Sequence, residues 1–195
     1  MLIDLGSTKR EITTAMQALP ERFDPIGGHP MCGKETSGLE NADPHLYQGA
    51  PFALVALART TDNARACALE LVGLLGAHPL WLDPTTHDAW VAATSHLPYL
   101  AANALAFTTP TGAAPMAGPG FKSTTRLALS PSSIMLDVLK TNRENILAAL
   151  RRYRTHLERL EDLLSQAEFT PLAELLDQGA EQRRVIDALQ KGMLT

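Results

Sequence analysis

Up to Asp83 the chain alternates short apolar runs with helix-patterned segments, and beyond Pro84 no strand-like run recurs. That switch limits what the chain can fold into. Strands separated by helices predict a parallel α/β sheet, and an all-helical remainder must pack as helices on helices. Leu2-Ile3-Asp4-Leu5 reads as a strand end, and the following helix takes Ser7 as its N-cap and stops near Pro20. A short strand toward Ile26, the glycine-rich stretch Ile26–Gly38 and a β-rich run over Phe52–Leu57 come next. Residues 62–75 form an amphipathic helix closed by Gly76 as its C′ residue, before a fourth strand over Ala77–Leu82.

Asp83-Pro84 is an N-cap followed by a first-turn proline, so a helix starts there and runs to about Phe107. Pro98 offers no N–H to the carbonyl of Thr94, which predicts a kink beside Ser95-His96. The proline- and glycine-broken residues 108–120 read as a loop, and a long helix follows from about Pro131 to Gln166. Its apolar residues Leu139, Ile146, Leu150, Tyr153, Leu157, Leu160 and Leu164 recur at heptad-like steps. A helix with that seam predicts pairing between two chains. Thr170-Pro171 opens a last helix reaching about Leu189. The expected organisation is therefore α/β over residues 1–83 and helical over 84–195.

Composition excludes several classes. With 45% hydrophobic and 19% charged residues, the 195-residue chain can build a core, and a formal net charge of −4 argues against a broad nucleic-acid-binding face. No apolar run approaches the length of a membrane span, and no signal-peptide pattern opens the chain. Cys32 and Cys67 lie far apart and form no metal-type pair, so reduced thiols and a cytoplasmic location are expected, with no metal site.

Four segments carry chemistry. Ser7 lies where a strand meets a helix, the edge at which open α/β sheets bind ligands. His29 sits among Gly27, Gly28, Gly33 and Gly38, a titratable ring where backbone can approach closely. His96 adjoins the expected kink, whereas His87-Asp88 reads as first-turn polar surface. His87 and His96 are nine residues apart and face opposite sides of a straight helix. His45, His78 and His156 show no partnering pattern. Arg126 has the bidentate fork suited to a carboxylate. No GxGxxG follows a strand, since Gly112–Gly120 is spaced wrongly and lies between helices.

Taken in order, Asp4-x-Gly6-Ser7-x-Lys9, Gly28-His29-Pro30-Met31-x-Gly33-x-Glu35-x-Ser37-Gly38, His87-Asp88 with Ser95-His96-Leu97-Pro98, and Thr125-Arg126-x-Ala128 resemble the prephenate and arogenate dehydrogenases of tyrosine biosynthesis. The similarity runs from Asp4 to the long helix containing Asn142 and Asn145. It implies part of a Rossmann-like sheet followed by a helical dimerisation domain, with NAD or NADP as hydride acceptor and prephenate or arogenate as substrate. By the same resemblance His29 is the catalytic base, with Ser7 beside it near the nicotinamide. Gly28 and Pro30 fall on the cofactor side, and His96, Arg126, Lys34 and Glu35 on the substrate side. Lys34, Tyr99 and Leu136 depart from residues common in the family, where a small polar group, a histidine and a tryptophan are usual. The family pattern also places further strand–helix units, with the phosphate-binding glycine turn, ahead of the first strand. A non-catalytic dimeric remnant that binds such acids without turnover is the alternative reading.

Overall fold

In the computed structural model, residues 1–33 and 38–194 are described. Four strands, β1 (Leu2–Asp4), β2 (Pro25–Pro30), β3 (Pro51–Ala56) and β4 (His78–Trp81), form one sheet in sequence order. β1 pairs with β2 and β3 with β4 in parallel, but β2 and β3 are antiparallel. The sheet is thus mixed rather than wholly parallel. The physical reason is the connection between β2 and β3. Its described part contains only a 3₁₀ turn over Leu39–Asn41, not the crossover helix that a parallel return requires.

The core of the sheet is built by Ile26, Phe52 and Leu54, packed against Ala68, Val72 and Ala77 on and after helix α2 (Asp62–Leu74). Thr61 caps α2 from its side chain, and Gly76 closes it at φ 66°, the left-handed conformation a C′ glycine adopts without penalty. Helix α1 (Arg10–Gln17) starts later than Ser7, so Ser7 is not its N-cap. At the far end of α1, Arg59 reaches back to the carbonyls of Gln17, Leu19, Pro20 and Phe23.

Gly27, Gly28 and His29 belong to strand β2, not to a loop. A Cβ on Gly28 would stand 3.0 Å from the Asp4 carbonyl oxygen and 3.0 Å from Phe52 Cε1. One on Gly27 would stand 3.2 Å from both Lys9 Cδ and Val55 Cβ. These two glycines therefore let β2 fit beneath its neighbours.

The helix opened by Asp83 is interrupted where Pro98 predicts. α3 (Pro84–Val91) passes through a π-helical turn over Ala92–His96 into α4 (Leu97–Thr108). Residues 108–120 are more ordered than a loop, containing a 3₁₀ turn over Thr111–Met116 and the start of α5 (Pro119–Thr125). A further 3₁₀ turn, Arg126–Leu129, packs against α4. The long helix expected over 131–166 is broken: α6 (Ser132–Thr141) ends at Asn142, whose φ of −121° and ψ of 23° leave the helical region, and α7 (Arg143–Ser165) follows. α8 spans Phe169–Leu194.

The chain divides into two compact units, Met1–Leu147 and Ala148–Thr195. In the second, Leu163 is fully buried, while Leu150, Tyr153, Leu157 and Leu164 of the heptad-like stripe are exposed. None of the helices among the described residues is long and apolar enough to cross a membrane.

Gly28→Ala should destabilise the fold by about 1–3 kcal/mol, because the backbone oxygen it meets cannot move aside. Gly33→Ala, whose Cβ meets nothing within 4 Å, should leave the urea midpoint nearly unchanged. Equal midpoints for the two variants would contradict the packing role assigned to Gly28.

Candidate functional site

The site is organised by a carboxylate on α3. Asp88 is fully buried (0% exposed), and its Oδ1 and Oδ2 accept the backbone N–H groups of Lys9 at 2.7 Å and Arg10 at 3.0 Å. It thereby supplies the missing cap of α1, putting a negative charge against the positive end of that helix. Asp88 Oδ1 also lies 2.8 Å from Nδ1 of His87, itself 1% exposed. His87 Nε2 in turn lies 2.9 Å from Nδ1 of His29. Both residues read from sequence as first-turn surface are therefore interior. The signal that could have revealed them is that Asp83 already caps α3, which leaves Asp88 free to serve a different helix.

The donors along this chain follow from its end. Burial works against the charge on Asp88, but hydrogen bonds from His87, Arg10 N and Lys9 N outweigh it and hold its pKa below the ordinary carboxylate value. An ionised Asp88 only accepts, so His87 donates from Nδ1, and in the neutral imidazole its Nε2 accepts. His29 then donates from Nδ1, which leaves the lone pair on its Nε2. Of the three, only His29 is partly exposed, so that lone pair is the open end of the chain. Burial, then the neighbouring His87, Lys9 and His96, lowers the His29 pKa to about 3. The ring is neutral at physiological pH.

Lys9 and Asp4 complete the floor. The Lys9 side chain is wholly buried and paired with Asp4 at the end of β1, and burial lowers its pKa against that pairing. Asp4 Oδ1 also accepts Gly6 N–H at 2.9 Å, which shapes the turn carrying Ser7.

His96, 2% exposed, falls at the end of the π-helical turn. Burial lowers its pKa to about 4, with Asp88 raising it and His87 lowering it. The turn is what brings His96 near His87. A straight helix would have set the two on opposite sides.

The structure thus gathers His29 and His96 around Asp88 and His87. Ser7 is half-buried on the β1–α1 turn, and Gly28 and Pro30 flank His29 on β2. Arg126 is exposed on the 3₁₀ turn against α4. Lys34 and Glu35 lie outside the described residues. His45 and His156 are exposed and His78 is half-buried. Among the described residues no group of three or more His, Cys, Asp or Glu is placed to hold a metal ion.

Two models of one family match consecutively: the prephenate dehydrogenase nucleotide-binding domain over residues 1–80 and the prephenate dehydrogenase dimerisation domain over residues 83–178. The chain belongs to the prephenate and arogenate dehydrogenase family. The prephenate dehydrogenase of Bacillus subtilis (strain 168) is 27% identical over 201 residues, covering 100% of this chain and 54% of the relative. Among solved structures, Synechocystis arogenate dehydrogenase superposes with a TM-score of 0.80 at 28% identity, covering 95% of this chain and 69% of that one. Aquifex aeolicus prephenate dehydrogenase, in complex with hydroxyphenyl propionate and NAD+, superposes with a TM-score of 0.83 at 27% identity, covering 94% and 66%. The chain spans about half the length of the curated relatives it matches. As a family member it carries both the nucleotide-binding and the dimerisation match, and its histidine–aspartate chain joins His29 of the first match to His87 and Asp88 of the second.

The buried groups make stability depend on pH in one direction. A histidine whose folded pKa is lowered contributes stability that is complete above its unfolded pKa of about 6.5 and is lost as pH falls toward the folded value. Asp88, also lowered, adds loss of the same sign at still lower pH. The urea midpoint should therefore fall between about pH 6.5 and pH 4, and His29→Gln should flatten part of that slope. A midpoint that stays level over this range in the unsubstituted chain would show that His29 and His96 are not held neutral.

Proposed function

We propose that this chain carries the reaction of a prephenate or arogenate dehydrogenase, oxidative decarboxylation of a cyclohexadienol to a phenol, with His29 as the base. The supporting observation is the Asp88–His87–His29 hydrogen-bond chain, which leaves one basic nitrogen at its partly exposed end. When bound, NAD(P)+ supplies the hydride acceptor. The residues present fit the proton half of that reaction, because a neutral imidazole at the end of β2 can take the departing carbinol proton.

His29 Nε2 accepts the hydroxyl proton as the C–H bond breaks. A weak base suffices, because the carbinol oxygen becomes a protonated carbonyl, a far stronger acid than imidazolium. The charge gained by His29 is offset through His87 by Asp88, which raises the His29 pKa from where its other neighbours set it. His87 keeps the ring in the tautomer that exposes Nε2. Ser7 orients the substrate hydroxyl, and Gly28 and Pro30 hold His29 against the cofactor face. On the substrate side, His96 and Arg126 bind, Arg126 through a carboxylate, and Lys34 and Glu35 contribute contacts. Loss of the ring carboxylate as CO₂ gives an aromatic product, which makes the reaction irreversible.

The exposed stripe of Leu150, Tyr153, Leu157 and Leu164, in a segment matched by the dimerisation domain, supports a homodimer formed by pairing of these helices.

His29→Asn should lower kcat by about 10²–10⁴-fold with KM changed only a few-fold, read as nicotinamide absorbance with prephenate or arogenate. Equal losses in binding and turnover would reject His29 as the base. Substrate binding by calorimetry without saturable NAD+ or NADP+ binding would identify a non-catalytic relative. Separately, Leu157→Glu should shift the sedimentation of the chain from dimer to monomer. An unchanged dimer would place the interface elsewhere.

A further inference from the structure

Asn142 is a buried amide with no part in the reaction as described so far. It is 3% exposed and occupies the break between α6 and α7. That break is a local cost the sequence did not need, since Leu139, Ile146 and Leu150 continue the apolar stripe across it. The backbone there serves two helices at once. Asn142 N–H donates to Val138 at the end of α6, and the Asn142 carbonyl accepts from Ile146 in the first turn of α7.

The side chain is fully engaged. Its Nδ2 lies 2.7 Å from the backbone carbonyl of Asp88 and 3.2 Å from Nδ1 of His96, and its Oδ1 lies 2.8 Å from Nδ2 of Asn145. The orientation of the amide follows from the partners alone. A backbone carbonyl only accepts, so the atom facing Asp88 O must be the amide nitrogen. The second proton of that nitrogen points at His96 Nδ1, which must present a lone pair. A neutral His96 then carries its proton on Nε2.

The other ring nitrogen has no hydrogen bond to a described residue. His96 is 98% covered, and its Nε2 is the ring nitrogen left without a partner among the described residues.

We propose that Asn142 is a positioning residue that locks His96 as an Nε2–H donor, and that this donor takes an oxygen acceptor of the substrate. The second clause rests on the function proposed above; the first does not. The lock also explains the pairing of the two histidines. His87 is fixed by Asp88 as an acceptor toward His29, whereas His96 is fixed by Asn142 as a donor, so the same buried cluster presents one lone pair and one N–H. The low His96 pKa supports this, since the ring stays neutral and keeps the tautomer defined. An ammonium group is rejected at this position, because a neutral N–H offers it no lone pair.

The test is a long-range ¹H–¹⁵N correlation of the histidine rings in the full chain at neutral pH. His96 should show a protonated Nε2 and an unprotonated Nδ1. Asn142→Asp places an acceptor against Nδ1 and should move the proton there, as Asp88 does for His87, leaving a lone pair on Nε2, while His87 keeps its Nδ1–H form. Asn142→Ser, which is smaller and folds if the larger change does not, should give a mixture of tautomers. An Nδ1–H His96 in the unsubstituted chain, or a tautomer indifferent to both substitutions, would overturn the lock. Calorimetry with prephenate separates the second clause. A Kd about tenfold higher in Asn142→Asp, as expected for one lost hydrogen bond, supports it, and an unchanged Kd overturns it. If neither prephenate nor arogenate binds the unsubstituted chain, the functional reading and the ligand clause are both overturned, and the tautomer assignment stands on its spectrum.

Discussion

The Asp88 carboxylate holds the first compact unit together at the point where its chemistry lies. A buried carboxylate is costly unless it is hydrogen-bonded and opposed by positive charge. Here the N-terminal amides of α1, the imidazole of His87 and the nearby Lys9 meet that requirement together. The same residue's backbone carbonyl receives Asn142. Three parts of the chain, the start of α1, α3 itself and the break before α7, are therefore tied by one amino acid. None of these ties is local in sequence except His87.

The partly exposed end of the hydrogen-bond chain is constrained as a result. A histidine at the surface samples both tautomers and titrates near neutrality. His29 does neither, because its Nδ1 is committed to His87 and its surroundings disfavour the cation. The fold thus trades basicity for a fixed orientation. His96 is treated in the opposite sense, through an amide instead of a carboxylate. Two chemically identical rings acquire different roles from the partner each finds at Nδ1.

Much of the fold was legible in the residues. Asp83-Pro84 marks a helix start, Pro98 a disruption, Gly76 a helix end and the β-rich 52–57 run a buried strand, and each signal is a steric or hydrogen-bonding property of a few adjacent residues. What escaped depends on partners distant along the chain. The antiparallel β2–β3 pairing is set by how the intervening segment returns. The late start of α1 follows from a cap 78 residues away at Asp88. The break at Asn142 is invisible to apolar periodicity, because a polar contact on a different face overrides it.

The same division holds for the site. Four ordered motifs in the sequence were enough to point to the family and to nominate Ser7, His29, His96 and Arg126, because several motifs in one order are far more specific than any one alone. The sequence by itself determined the element types, the switch from sheet to helices at residue 83 and the chemical inventory. Only the tertiary structure decided that Asp88, His87 and Asn142 are interior, and so which polar groups face the rings of His29, His87 and His96. Burial is a property of the packed elements, and of the hydrogen bonds that fix this cluster only His87–Asp88 and Asn142–Asn145 join near neighbours in the chain.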